Sequence, residues 1–543
     1  MATPPSVDLA PHYYRDNFQR LLDTVDACYS DLLAPAELEL LSTYRALGFA
    51  AQCLYVRLVS RVGPWFREAN LDYPELGDLA QAIDELLAAG LMAEAASSAE
   101  IANLFTRPEL AAALGLSASK SKAELLAAAE EQAPLDLEGM GEGRIVGPLC
   151  KEEVEIFSLL FFGNRHQGLT DFVLSDLGVA RHYPYALDRS QRLFPDRAAL
   201  EEYLVCAAIA DSWWALREGG GGEIDLSTLA ELALEFVPQY ASTSRRYSRL
   251  CNSLARELER AGEGDLALAL YQRSDLHPAR ERSARIFERA GKYDEAISLC
   301  ETILAEPWGE EERDAAGRIM PRLQRAVHGT RQARVRDSFA EVQLNLERGE
   351  ASVERLAAQA LEAEWREVHY VENSLMNGLF GLAFWEQIFA PVPGAFHNPF
   401  QAVPADMYDQ GFALRRERHL AARFAALQSD LAGEVRAAWR RCEGYQCRWI
   451  NWRSLDEALV DRAVEIIPAQ HLLAIWERML FDPGENRRGF PDLIALGESP
   501  GDYSMIEVKG PGDALQHSQK RWLRFFGAQQ IPAQVAWVKW RDD

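Results

Sequence analysis

The residues best placed to do chemistry in this 543-residue chain are Gly489-Phe490-Pro491-Asp492-Leu493-Ile494 and, a little further on, Ile506-Glu507-Val508-Lys509-Gly510. Between them Glu498-Ser499-Pro500-Gly501-Asp502 carries turn chemistry, so Asp492–Leu496 and Tyr503–Lys509 read as the two strands of a hairpin. Side chains alternate along a strand, which puts Glu507 and Lys509 on one face and Ile506 and Val508 on the other. Asp492, at the start of the partner strand, lies beside the first face. Two carboxylates and an ammonium then converge on one point. Carboxylates supply hard oxygens for Mg²⁺ or Mn²⁺, and the Val508 carbonyl is a further oxygen ligand. A lysine beside them can orient an attacking water or help to deprotonate it. Together these groups are equipped for metal-assisted hydrolysis of a phosphodiester, with one or two ions.

The elements needed to hold that point follow in order. Leu515–Gln529 is an amphipathic helix carrying Lys520, Arg521 and Arg524, and Gln534–Trp540 is another strand. Hairpin, helix and strand in this order match an α/β restriction-endonuclease-like core. Upstream, Asn373–Phe389 is apolar nearly all round and predicts a buried central helix. Glu372 sits at its start, where a carboxylate either complements the helix dipole or reaches a metal. No Gly-x-Ser-x-Gly elbow or Gly-x-x-x-x-Gly-Lys-Ser/Thr loop occurs, so neither a serine hydrolase nor a nucleotide cofactor is indicated.

The rest of the chain is helical by pattern and divides into further domains. Helical spacing runs through Tyr13–Tyr29, Ala36–Phe49 and Ala51–Phe66, giving an N-terminal helical domain over 1–100. Over 101–225, a short helix opening at Pro108 and a second beginning at Lys122 flank a Ser-rich turn bearing Lys120. This layout is SAP-like and would bind DNA, although any helical pair with a lysine in its loop shares it. Gly139–Gly147 and Gly219–Gly222 read as loops or linkers. Over 226–360, Ala255-Arg256-x-x-Glu259-Arg260-Ala261-Gly262 recurs 29 residues later as Ala284-Arg285-x-x-Glu288-Arg289-Ala290-Gly291. Helix, glycine, helix at that offset predicts a TPR-like α-solenoid with two readable units. The nuclease-like module then occupies 361–543.

The net charge of −25 argues at first sight against nucleic acid. A duplex meets local potential, however, and two arginine clusters stand out. Arg318, Arg322, Arg325, Arg331, Arg334 and Arg336 run without an intervening acid, and Arg245-Arg246-Tyr247-Ser248-Arg249 precedes the first repeat. Both can contact phosphates or simply be solvated, and binding through so few patches should weaken steeply with salt. Eight cysteines are scattered, with only Cys442 and Cys447 close together, and they read as reduced thiols of a cytoplasmic protein. No apolar run is long enough for a membrane span, and the N-terminus does not resemble a signal peptide.

The C-terminal module resembles the VRR-NUC nuclease domain, and nearly the whole chain resembles the Fanconi anaemia-associated nuclease family, as a bacterial member. The resemblance rests on Tyr13-Tyr14-Arg15-x-x-Phe18, Gln52-x-Leu54-Tyr55-Val56-Arg57-Leu58 and Glu372-Asn373-Ser374. It continues through Phe380-Gly381-Leu382-x-Phe384-Trp385, Asn398-x-x-Gln401-Ala402-x-Pro404, Gly489-x-Pro491-Asp492-Leu493 and Glu507-Val508-Lys509-Gly510-Pro511. It implies that Glu372 joins Asp492, Glu507 and Val508 as a metal ligand. It also implies that Gln401 belongs to the active site, positioning water or the phosphate. The implied activity is incision near a 5′ flap and 5′→3′ degradation of branched DNA, in the unhooking of interstrand crosslinks. The ubiquitin-binding zinc finger of vertebrate members has no Cys/His counterpart here. Ser518 stands where their pattern offers a lysine, so a 5′-phosphate pocket of the same kind does not follow from the resemblance, although Arg487 and Arg488 could contribute to one. Two other functions fit the same motifs. One is a four-way-junction resolvase or restriction-type nuclease, and the other is a junction-binding scaffold without turnover.

Overall fold

The structure is a computed structural model that describes residues 11–95, 101–117, 119–131, 144–169, 181–219, 225–329 and 337–541. Two compact units result: residues 1–180 with 187–193, and residues 181–186 with 194–543. Arg331, Arg334 and Arg336, and most of the two glycine-rich stretches, lie outside the described residues.

In the first unit the helix Tyr13–Tyr29 forms as its pattern predicts, burying Phe18, Leu21, Leu22 and Val25 on one stripe. The next two helices are Pro35–Ala46 and Phe49–Val59, the second ending earlier than the apolar pattern suggests. The residues beyond it instead pair as β1 (Phe66–Arg67), which joins β2 (Met92–Glu94) and β3 (Ile145–Pro148) in the order β1-β3-β2. That sheet removes the expected boundary at residue 100, because β3 comes from the segment assigned to a separate SAP-like region. The SAP-like pair itself is present as Arg107–Ala113 and Lys122–Glu131, packed through Ile101, Leu110, Leu114 and Leu125.

The second unit begins with the predicted solenoid, which starts earlier than residue 226. Helix Arg197–Arg217 contributes Cys206, Ala210 and Trp213 to the same core as Leu250, Leu254 and Leu258 of the helix Ala241–Ala261. The two readable repeats are Ala241–Ala261 with Gly264–Tyr271, and Ala279–Arg289 with Tyr293–Ala305. Their shared glutamate has a structural reason. Buried Glu259 accepts from Arg282 Nε at 2.9 Å and also from Arg289, while its counterpart Glu288 accepts from Arg322 Nη2 at 2.9 Å. Each repeat is thereby tied to a helix that follows it.

The catalytic module is built on a five-stranded sheet of β4 (Glu341–Leu346), β5 (Glu367–Tyr370), β6 (Leu493–Leu496), β7 (Tyr503–Lys509) and β8 (Ala533–Trp540), in the order β4-β8-β7-β6-β5. Strands β4, β8 and β7 run parallel, and β6 and β5 antiparallel to their neighbours. The expected boundary at residue 361 therefore cuts the sheet, and the module begins before β4. Its period-two pattern, half-exposed at an edge, is easily passed over. Helix Val353–Leu361 covers the face formed by Leu493, Ile506, Val508, Ala536 and Val538. The single helix expected over Asn373–Phe389 is two, Leu375–Ala383 and Trp385–Ile388, separated by Phe384 at φ −114°. Both are buried as expected.

Replacing Glu259 by Ala leaves Arg282 without its buried partner and should destabilise the solenoid by about 3 kcal/mol. Urea unfolding followed by circular dichroism should show a lowered midpoint for Glu259→Ala and little change for Glu257→Ala, whose partner Arg260 is exposed.

Candidate active site

The hairpin forms as its turn chemistry dictates. Gly497 N donates to Asp502 O at 2.8 Å and Glu498 N to the Asp502 carboxylate at 3.2 Å, closing the turn. The register then pairs Leu496 with Tyr503 and Leu493 with Ile506. One residue further, Asp492 reaches the level of Glu507, and its Oδ2 accepts from Val508 N at 2.8 Å. Lys509 Nζ lies 2.6 Å from Glu507 Oε1. All three side chains are buried, with Glu507 only 1% exposed.

The segment leading into Asp492 is held from several sides. Phe490 stacks on Trp522 at 4.1 Å between ring centroids, and Trp522 Nε1 donates to Arg488 O at 3.0 Å. Asn377 donates to Arg487 O at 3.0 Å, and Asn373 accepts from Phe490 N at 3.3 Å. Gly489 has φ +81°, and a Cβ there would lie 2.7 Å from Ser518 Cβ, so both conformation and space require glycine. Ser518 thus serves as a packing surface for the catalytic loop.

Glu372 arrives by a different route from the one expected. Tyr370 pairs with Leu493, Val371 N donates to Asp492 O at 2.8 Å, and Glu372 follows in the turn before the helix. The edge strand β5, and not the helix, delivers it. The short apolar-aromatic run Val368-His369-Tyr370-Val371 was the available signal for that strand. Glu372 is exposed, and its Oε2 accepts from Tyr370 OH at 2.5 Å. Tyr370, not anticipated from sequence, has its phenol pKa raised by that bond. Among the described residues no three His, Cys, Asp or Glu side chains are already gathered as a closed metal cluster. The donors are neighbours, with Glu372 turned aside onto the tyrosine.

Electrostatics show what the site favours. Burial is the main reason that the Asp492 carboxyl is pushed up to about 6, and the nearby Glu372 and Glu354 charges add to it. Burial likewise pushes Glu507 up to about 7, reinforced by Asp492 and only partly opposed by Lys509. Buried hard oxygens in excess of positive charge suit a divalent cation, and Asp492, Glu507, the exposed Glu372 and the Val508 carbonyl are the groups that could hold one. When bound, that ion activates water and neutralises charge on a phosphate.

Other expected residues are placed as follows. The Gln401 side chain is hydrogen-bonded within its own loop and not to Asp492 or Glu507. Its Oε1 accepts from His397 N at 2.6 Å and Asn398 N at 3.3 Å, and its amide nitrogen lies 3.4 Å from Ala395 O, so the carboxamide organises its own loop. Arg487 donates to Tyr408 OH at 3.2 Å, Arg488 is exposed and Lys520 half-buried. Arg245 is paired with Asp409, and Arg246 donates to Tyr203 OH at 3.1 Å. Arg318 and Arg325 are exposed, whereas Arg322 is tied to Glu288. In the first unit Lys120 and Lys122 are exposed, and Lys122 Nζ reaches Asn103 O at 3.3 Å.

A central strand bearing Glu-x-Lys, an antiparallel neighbour delivering Asp and a parallel neighbour reached through a helix define a restriction-endonuclease-like nuclease. Two family models match, "FAN1, HTH domain" over residues 12–93 and "VRR-NUC domain" over 412–540. The Fanconi-associated nuclease 1 homologue of Pseudomonas aeruginosa is 34% identical, covering 98% of this chain and 97% of that protein. Human Fanconi-associated nuclease 1 is 24% identical over 94% of this chain and 61% of its own length. The crystal structure of paFAN1 bound to 2nt 5′ flap DNA with gap superposes at a TM-score of 0.79, with 33% identity and all of both chains covered. This chain belongs to the Fanconi-associated nuclease 1 family.

The raised carboxyls make a pH prediction whose sign follows from linkage. In the pH range from the ordinary carboxylate values up to about 6 and about 7, the folded metal-free chain holds protons at Asp492 and Glu507 that the unfolded chain has lost. The stability contributed by those protons is lost as pH rises through that window. A divalent cation needs both groups ionised, so its benefit grows over the same window. Thermal unfolding should show a larger Tm gain from Mn²⁺ at pH 8 than at pH 5, and Asp492→Asn should remove most of the difference.

Proposed function

We propose that this protein is a metal-dependent, structure-specific DNA nuclease that incises near a 5′ flap and degrades 5′→3′, acting in the unhooking of interstrand crosslinks. The observation that carries the catalytic part is the buried Asp492–Glu507–Lys509 constellation on the central strand, where two carboxylates are forced together beside one ammonium. The flap preference is supported by the kinship with paFAN1, whose crystal structures contain 5′ flap DNA with gap.

In this reading Asp492, Glu507, Glu372 and the Val508 carbonyl hold Mg²⁺ or Mn²⁺. Lys509 orients the attacking water and stabilises charge on the phosphate in flight. Gln401 keeps the 395–403 loop in shape. Phosphates of the duplex arms meet the exposed cations Lys120, Lys122, Arg318, Arg325 and Arg488, with Lys520 near the catalytic loop. Such contacts position the DNA without reading bases, so recognition is of shape.

The test is cleavage of 5′-flap, nicked and intact duplexes in Mg²⁺ or Mn²⁺ against EDTA. Metal-dependent incision near the flap junction is expected, undetectable for Asp492→Ala and down by about 10²–10³-fold for Lys509→Ala, with DNA binding retained by both. Paired symmetric nicks on a four-way junction would point to a resolvase instead. Tight binding with no turnover in any metal would make the protein a scaffold.

A further inference from the structure

The catalytic face does not end at Lys509. In β8 the register partner of Lys509 is Trp537, and the partner of Trp537 in β4 is Gln343. Partnered residues of parallel strands point to the same face of the sheet, roughly 4.8 Å apart. The indole is therefore the lateral neighbour of the lysine. The core supports this parity, since Val508, Ala536 and Val538 pack against the helix Val353–Leu361 on the opposite face. Trp537 and Lys539 alternate with those residues and face away from that helix.

A cavity of about 800 Å³ opens at this end of the strands, lined by Gln343, Trp537, Lys539 and the loop Gly510-Pro511-Gly512 that leaves Lys509, and also by Glu341, Val342, Val538 and Trp540. Trp537 is half-buried and Lys539 exposed. The combination is specific in chemical kind. A flat aromatic face, a cation two residues along the same strand, an amide and a Gly-Pro-Gly rim suit a flat π-system joined to an anion at the Lys539 end, four register positions from Glu341. Core packing would not leave an indole at an open cavity beside a catalytic lysine.

We propose that this cavity is a subsite for an unpaired nucleotide of the DNA strand being cut, its base stacked on Trp537 and its phosphate toward Lys539. The inference rests on the nuclease reading above and deepens it. Every base has a π-face, so such a platform holds nucleotides with little regard to sequence. A base inside a duplex is already stacked on both sides and cannot lie flat on the indole. Requiring an unpaired base next to Lys509 makes the cutting site itself select a branched or frayed end over continuous duplex. Gln343 and the Gly510–Gly512 rim leave room for the strand to pass.

The experiment compares two flapped duplexes, identical except that one carries abasic sugar-phosphates in place of the unpaired bases. Equilibrium binding is measured in EDTA, where nothing is cut, with the full chain. The unaltered protein should bind the abasic substrate about tenfold more weakly. Trp537→Ala should bind both alike, at the weaker level, and Trp537→Phe should keep most of the discrimination. In Mn²⁺ the same difference should appear in KM, with kcat changed far less. The proposal is overturned if the unaltered chain does not distinguish the two substrates, or if Trp537→Ala distinguishes them as well as the unaltered chain does. Absence of cleavage by the unaltered chain in any metal strikes the nuclease reading alone, because the binding comparison needs no turnover.

Discussion

Two carboxylates in the middle of a sheet are the constraint around which this molecule is organised. Asp492 and Glu507 sit at one level of a hairpin whose second strand is central and buried along its whole length. Water cannot solvate them there, and the Asp492 charge further raises the proton affinity of Glu507. A single ammonium, Lys509, cannot balance Glu372, Asp492 and Glu507 together. Left alone, the arrangement keeps protons. Given a divalent cation, the same geometry becomes a hard-oxygen site. The electrostatic strain of the metal-free state and the affinity for metal thus have one origin.

Holding such a pair in place requires a scaffold that does not relax, and the contacts show where it comes from. The turn before the catalytic loop is capped by Asp482, which accepts from Glu485 N at 3.0 Å and from Glu310 N at 2.9 Å. Glu310 opens the last solenoid helix, and its carboxylate pairs with Arg478 at 2.8 Å and accepts from Asn486 at 3.2 Å. From Asn486 the chain runs directly through Gly489 and Phe490 to Asp492. Exposed Arg318 and Arg325 lie on that same solenoid helix. A continuous set of hydrogen bonds and ion pairs therefore connects the helix that carries exposed Arg318 and Arg325 with the position of Asp492.

What could be read from the sequence was whatever is encoded locally. The hairpin was legible because its turn residues and alternation lie within eighteen positions, and Tyr503–Lys509 came out with the observed bounds. The solenoid repeat was legible because its glycines recur at φ +91° and +72°, a conformation that few other residues accept. Strand β4 and the first-unit sheet were not, since each is stabilised by partners more than fifty residues away. The same limit explains Glu372. Its neighbour in sequence is a helix, but its neighbour in space is Asp492, through the pairing of a short edge strand with residues far along the chain. Gln401 shows the converse, a residue implied by kinship whose side chain here is engaged by its own loop.

Counting cations along the chain also overstates what DNA can meet. Arg245 faces Asp409, Arg322 faces Glu288, and Arg524 holds Asp337 through two hydrogen bonds. Arg521 is buried between Asp314 and Glu485. These arginines fix the protein to itself. The acidic surplus of a chain with net charge −25 is partly their complement, so it is not a simple measure of repulsion toward a polyanion. Each phosphate that is contacted contributes a salt dependence of roughly 0.9 per charge in the logarithmic slope. Where cations are already paired with the chain's own carboxylates, as Arg322 and Arg524 are, that slope is reduced, and affinity can be supplemented by interactions that do not depend on counterion release. A carboxylate-bound metal meeting the scissile phosphate is one such interaction, and an aromatic face beside Lys509 would be another. Only the second needs a base that has left the duplex, so it would favour branched DNA without adding positive charge.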